Sequence, residues 1–264
     1  MAKYGKAASK RVASAMALRT ILFSFAHPDD ESFSGAGTAM KSAAAGVRTV
    51  LVTATLGERG KAGDPPVCTL EQLPACRERE LREAVRIIGF DELHLLGYRD
   101  RELANAPPDE IRRKLVSIIR RVRPSVVLTF DANGFNVHPD HVAISRFTSD
   151  AIAAAADPRW HADTGEAHTV SRLLWTPPIA PWDAFVREAA VDADVPGVDF
   201  VLDVSQWRAR RAAALRAHRS QHLSIDRYFF NQPDVNRILD REFWRQAFGP
   251  PLTSRPATDI LGGT

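Results

Sequence analysis

Two histidine clusters hold the side chains best suited to chemistry: His27-Pro28-Asp29-Asp30-Glu31 and His138-Pro139-Asp140-His141. In each, metal-competent groups stand three residues apart, His27 with Asp30 and His138 with His141, on a turn that can direct both toward one point. Imidazole and carboxylate donors suit zinc or another divalent ion such as Fe2+, and three protein ligands with an open fourth position is the catalytic arrangement. Helix capping competes with this reading, because Asp29, Asp30 or Asp140 could accept backbone N–H bonds at a positive helix terminus. Capping needs no histidine, however, and three consecutive acids at 29 to 31 repel one another unless a cation lies close. A metal site is the better account.

Such clusters need rigid elements to aim them. Thr20 to Ala26 is an apolar run of β-branched and aromatic residues, suited to a buried parallel strand, and the first cluster follows it directly. Ser34 to Ala45 then reads as an Ala-rich helix stopped by Gly46, Val47 to Thr55 as a strand, Gly57 to Ala75 as a Gly/Pro-rich loop, and Arg77 to Ile88 as a helix ended by Gly89. Glu92 to Leu96 and Pro124 to Phe130 read as strands on either side of a helix over Asp109 to Val122. The second cluster comes shortly after Phe130, with a helix over Pro139 to Ala156 that begins at or near His138. Arg172 to Trp175 and Phe200 to Asp203 are further strands, and Gln206 to Arg219 a helix. Repeated strand, loop and helix units predict an α/β fold, a Rossmann-like, mostly parallel sheet flanked by helices, with function at the carboxyl ends of strands. Gly35-Ala36-Gly37 hints at a dinucleotide fingerprint, but Met40 occupies the third glycine position, which argues against one.

The 264 residues divide into a basic segment, 1–19, and a single expected domain, 20–264. The net charge of +3 invites a nucleic-acid partner, but Lys3, Lys6, Lys10, Arg11 and Arg19 account for it, and the remainder holds 30 basic against 32 acidic residues. No nucleic-acid partner is expected. No stretch approaches the roughly 18 to 20 apolar residues of a membrane span, and the basic segment lacks a clear signal-cleavage pattern. Cys68 and Cys76 form neither a redox pair nor a zinc ribbon, and they read as reduced thiols of a loop in a cytoplasmic protein. Nothing in the sequence sets an oligomeric state.

Ala26 to Glu31, A-H-P-D-D-E, together with H-P-D-H at 138 to 141, resembles the PIG-L/LmbE family of metal-dependent N-deacetylases, which act on N-acetylglucosamine-type groups in bacterial thiol, glycolipid and antibiotic pathways. Weaker segments agree: Thr55 to Gly60, Arg77 with Glu80, Gly97 to Asp100, and His218-Arg219-Ser220-Gln221. The resemblance implies an LmbE-like fold, with His27, Asp30 and His141 binding a metal that is usually zinc. It makes Asp29 the general base, places His138 against the developing oxyanion and makes Asp140 the orienter of a histidine. Arg77 and Asp100 match positions that hold sugar hydroxyls. Read without the family, Arg77 would pair with Glu78 or Glu80 on a helix surface, and Asp100 would belong to a solvated charge run. Many relatives have Gly before the first His of the second motif, and mycothiol-pathway enzymes a Tyr before that Gly. This chain has Asn136-Val137, which weighs against a tyrosine at the oxyanion and against a mycothiol-precursor substrate.

Amide hydrolysis needs a nucleophile, a site for the oxyanion and a proton for the departing amine. A zinc ion would activate water and polarise the acyl oxygen, Asp29 would move the proton, and a protonated His138 would add charge at the oxyanion. The expected substrate is a small N-acetylglucosamine-containing molecule. Thiol-conjugate amidase activity and a non-catalytic metal- or sugar-binding module are the alternatives. The Gly57 to Ala75 loop reads as a lid over the sugar or as solvent loop, and His218 and Gln221 as pocket lining or as Arg-rich surface.

Overall fold

A computed structural model describes residues 19–177 and 198–264. The basic segment therefore lies outside the described residues except for Arg19. Five parallel strands form the centre: β1 (Thr20–Phe25), β2 (Arg48–Thr55), β3 (Glu92–Tyr98), β4 (Val126–Phe130) and β5 (Arg172–Thr176). With β6 (Phe200–Asp203) and β7 (Arg241–Phe248), the sheet order is β3-β2-β1-β4-β5-β7-β6, β7 running antiparallel to both its neighbours. The fold is α/β with a mostly parallel sheet. Every residue of β1 and β4 is buried, because helices cover both faces and leave no polar side to alternate with.

Right-handed crossovers decide where those helices go. The chain moves from β1 to β2 to β3 through α1 (Asp30–Ser34), α2 (Ala36–Ala44) and α3 (Leu73–Ile88), then returns through α4 (Pro108–Val122) to β4 beside β1. From there a distorted turn, α5 (Gly134–Val137), and α6 (Pro139–Ala156) lead on to β5. α2, α3 and a later helix, α7 (Arg208–Ala217), pack on one another, as α4 packs on α6. The connections leave β1 and β4 in opposite directions, which opens a crevice at their carboxyl ends. Both histidine clusters lie there.

Three elements differ from expectation. The first helix begins at Asp30 rather than Ser34 and breaks at Gly35, so two of the three acids occupy its first turn, where a helix favours negative charge. α3 begins at Leu73, a turn before Arg77, which puts Cys76 on a buried helix face rather than in a loop; both cysteines are free. β7, preceded by a short helix over Val235–Asp240, has no counterpart in the sequence reading. Among the described residues no helix is long and apolar enough to cross a membrane.

Candidate metal centre

β1 ends at Phe25, and the chain turns immediately so that Asp30 Oδ2 can accept the backbone N–H groups of Ala26 (3.2 Å) and His27 (2.7 Å). This closes the first cluster into a tight loop beneath its own carboxylate. The second cluster opens α6: His138 is the N-cap, with Pro139 in the first turn, and the His138 Nδ1 accepts the Asp140 N–H at 3.2 Å. His141, one turn into the helix, stacks on Phe130 with ring centroids 4.0 Å apart. Its Nδ1 faces the Gly134 carbonyl at 3.1 Å. Because a carbonyl only accepts, that nitrogen carries the proton, and the Nε2 lone pair is free for a metal. Gly134 (φ +67) is required here, since a Cβ would stand 2.6 Å from the Val142 nitrogen.

The two clusters meet across the crevice. His27 Nδ1 is 3.2 Å from His141 Nε2 and 3.5 Å from Asp30 Oδ2, and Asp30 Oδ1 is 3.4 Å from His141 Nε2. Metal–ligand bonds of about 2.0–2.1 Å in a tetrahedron place neighbouring donors roughly 3.3 Å apart. The donor triangle fits. On its other edge, His27 Nε2 lies 3.1 Å from Asp100 Oδ1 and 3.2 Å from Asp140 Oδ2. Asp140 is itself fixed by the Arg101 and Leu103 N–H groups (2.6 and 3.2 Å) and Asp100 by the Arg59 N–H (2.9 Å). A carboxylate behind a ligating imidazole is the usual way such a ring is oriented and made more basic. His27, His138 and His141, and separately His27, Asp100 and Asp140, also place ligand atoms within 4.8 Å of one another.

The electrostatics would suit a cation. Asp30, Asp100 and Asp140 are all buried within 3.5 Å of one imidazole. Burial opposes a charge on His27, yet Asp100, Asp140 and Asp30 outweigh it and carry its pKa well above the ordinary value. Asp30 moves oppositely: burial would raise it, but His141 and His27 hold it well below the usual carboxylate range. A divalent ion in the triangle would supply the counter-charge that these buried carboxylates otherwise draw from His27.

Asp29 stands apart from the donors. Burial pushes its pKa up to about 6, against the pull of Arg77, whose Nη2 is 3.2 Å from Asp29 Oδ2. Arg77 makes no helix-surface ion pair. It is buried and donates to the Pro28 and Gly57 carbonyls as well as to Asp29. A Cβ on Gly57 (φ +63) would come within 1.9 Å of its Nη1, so that loop closes on the guanidinium only because residue 57 is glycine. Asp100 is likewise buried rather than solvated.

His138 also differs from expectation. Its Nδ1 accepts a hydrogen bond, so the proton sits on Nε2, and burial together with His27 and His141 lowers its pKa. The ring is a neutral donor, not an imidazolium.

A cavity of about 350 Å³ opens onto this centre, lined by His27, Asp29, Asp30, Arg77, Asp100, His138 and His141 among others. Asp140 lies behind His27, fully buried. The loop after β2 is neither a free lid nor a solvent loop: it is tied down through Arg59 N–H to Asp100 (2.9 Å), the Lys61 carbonyl to Gln221 (2.7 Å) and Asp64 N–H to His222 (3.0 Å). Gln221 lines the cavity, whereas His218 is fully buried behind it against Glu31. Spacing gave Glu31 no role, because its partner His218 stands 187 residues further along the chain.

A family model described as GlcNAc-PI de-N-acetylase, PIG-L, matches residues 22–152, the stretch holding both clusters. A 1D-myo-inositol 2-acetamido-2-deoxy-alpha-D-glucopyranoside deacetylase of Streptomyces scabiei is 33% identical over 92% of this chain and 89% of its own. The chain belongs to the PIG-L/LmbE family. A further family relative, a probable N-acetyl-alpha-D-glucosaminyl L-malate deacetylase 2 of Bacillus anthracis, is 42% identical over 51% of this chain and 60% of that one. Among solved structures, the 4-carboxy-2-hydroxymuconate hydratase GalB of Pseudomonas putida superposes with a TM-score of 0.67 at 18% identity, covering 91% of this chain and all of that one. This last likeness concerns the fold alone. Fold alone therefore does not dictate one reaction.

The second cluster also follows a strained residue. Val137, just before His138, has φ +59, the left-handed region that a β-branched side chain avoids at a cost of about 1–2 kcal/mol. The residue is 76% exposed, so its side chain gives up little packing. Val137→Gly is expected to stabilise the protein by about 0.5–1 kcal/mol, the relief being partly offset by glycine's greater freedom in the unfolded chain. Urea unfolding should show a higher midpoint; a lower one would mean that the turn is unstrained in solution.

Proposed function

We propose that this chain is a zinc-dependent hydrolase that removes the N-acetyl group from a small N-acetylglucosamine-containing molecule. The observation that carries the reading is the convergence of His27, Asp30 and His141 within 3.5 Å of one another, beside a half-buried Asp29 that is held by Arg77. In this reading His27, Asp30 and His141 hold the ion. When bound there, it supplies an activated water and a Lewis acid for the acyl oxygen.

The remaining work falls to the chain's own groups. Asp29 takes a proton from the attacking water and returns it to the departing nitrogen; a base with a pKa of about 6 is ionised at neutral pH yet still basic enough to accept. His138 donates its Nε2 proton as a hydrogen bond to the oxygen on which charge develops, worth on the order of 3 kcal/mol. Asp140 and Asp100 hold the His27 ring, and Arg77 keeps Asp29 ionised. Arg77 and Asp100 also line the cavity wall, where sugar hydroxyls would lie. The deacetylase names of the relatives over most of the chain support an amide substrate of this class.

Mass spectrometry of the products from N-acetylglucosamine conjugates, the inositol and L-malate glycosides included, tests the reaction. Acetate and a free amino sugar are expected. Release of a cysteine derivative from a thiol conjugate instead would make the chain an amidase, and no product at stoichiometric metal would make it a binding module.

A further inference from the structure

The roles above give no task to a buried ion pair that lies directly behind Asp29. Glu31 and His218 are both 0% exposed and meet at 2.7 Å, Nε2 to Oε1. The same carboxylate accepts the Ser32 hydroxyl on Oε1 (2.6 Å) and the backbone N–H of Asp29 on Oε2 (3.0 Å). Replacing a buried ion pair by well-packed apolar groups is often neutral or stabilising, so stability alone does not explain this one.

Its location does. Asp29 stands at φ +113, a conformation that a non-glycine residue keeps only where its surroundings impose it. Its carboxylate is held by Arg77 and its N–H by Glu31, so the residue is gripped from both sides. The turn that brings in His218 grips the neighbouring elements too. Ser220 gives its N–H (2.9 Å) and hydroxyl (2.6 Å) to Glu80, one helical turn from Arg77, and Gln221 bonds the Lys61 carbonyl of the loop that closes on Arg77. Residues 218–221 thereby join α1, α3 and that loop, the three pieces that set Asp29 against Arg77.

We propose that Glu31 and His218 form a positioning pair for the general base: through the Asp29 N–H they fix its backbone, and so the aim of its carboxylate, without touching metal or substrate. This rests on Asp29 acting as the base. Small misplacements of a reacting group cost up to about 10²-fold in rate, so the pair should be visible in kcat alone.

The test uses the full-length, metal-loaded protein and reads kcat, KM and bound metal for Glu31→Gln, His218→Gln, the double variant, and Glu31→Gln combined with Asp29→Ala. Glutamine keeps the volume but cannot offer acceptors to Asp29, Ser32 and His218 together. Expected are a fall in kcat of roughly 10- to 100-fold in each single variant, KM and metal content unchanged, a double variant no worse than the weaker single, and no further loss when Glu31→Gln is added to Asp29→Ala. Wild-type kcat in folded Glu31→Gln would overturn the proposal, as would a loss that follows metal content or KM. If Glu31→Gln does not fold, His218→Gln carries the same readouts. An Asp29→Ala protein with full turnover would instead sink the base assignment, a result distinct from failure of the pair.

Discussion

Asp29→Ala is expected to keep its metal and to lose about 10²–10⁴-fold in kcat, the usual worth of positioned acid–base catalysis. The carboxylate is separate from the donor triangle: His27, Asp30 and His141 face one another, while Asp29 turns to Arg77. Its removal should therefore leave ion binding intact and take away only the group that carries the proton. Burial already places its pKa at about 6, high enough to accept a proton and low enough to be ionised at neutral pH. Arg77 will be left without its anion but keeps the carbonyls of Pro28 and Gly57, so the loop should not collapse. Steady-state rates alongside metal analysis by atomic emission check this. Unchanged turnover with one metal per chain would remove Asp29 from the mechanism.

His141→Ala should lose both metal and activity. Its Nε2 stands at 3.2 Å from His27 Nδ1 and 3.4 Å from Asp30 Oδ1, so it closes two of the three sides of the triangle. Its ring is also fixed in advance, by Phe130 on its face and the Gly134 carbonyl at Nδ1. Two remaining donors cannot enforce a tetrahedral site. Asp140→Asn should be milder, about 10- to 100-fold in metal affinity, as expected of a group that orients a ligand without being one. Metal titration in competition with a chromophoric chelator measures both. Equal affinity in His141→Ala and the unaltered protein would place the ion elsewhere.

What could be read from the sequence follows what local physics controls. β1 and β4 stand out because strands buried on both faces are continuous apolar runs, and α3 ends at Gly89, whose φ of +86 suits the left-handed cap. The position of both clusters at strand ends follows from the same pattern. β7 escapes it. Arg-Glu-Phe-Trp-Arg-Gln-Ala-Phe looks like surface, yet Glu242 points inward, pairs with Arg211 at 3.0 Å and caps Gly37 and Thr38 at the start of α2. A carboxylate whose backbone partners Gly37 and Thr38 stand 205 and 204 residues away leaves no local trace.

The site divides along the same line. Metal-competent residue types and their spacing are local, and the structure brings His27, Asp29, Asp30, His138 and His141 to one crevice. The engagement of Arg77 with two backbone carbonyls, the neutral state of His138 and the burial of Glu31 against His218 depend on groups from distant loops. The left-handed conformation of Asp29 belongs with them, since spacing does not say which way a backbone turns.

Acetate release tests the central claim most directly. The metal-loaded protein is incubated with an N-acetylglucosamine conjugate, and acetate is counted against amino sugar formed, with metal content measured on the same sample and a chelator-treated portion alongside. The account predicts one acetate for each amino sugar, many turnovers per bound metal, and no release after chelation until the ion is restored. Undiminished release from metal-free protein, or no acetate from any such conjugate at one metal per chain, would contradict it.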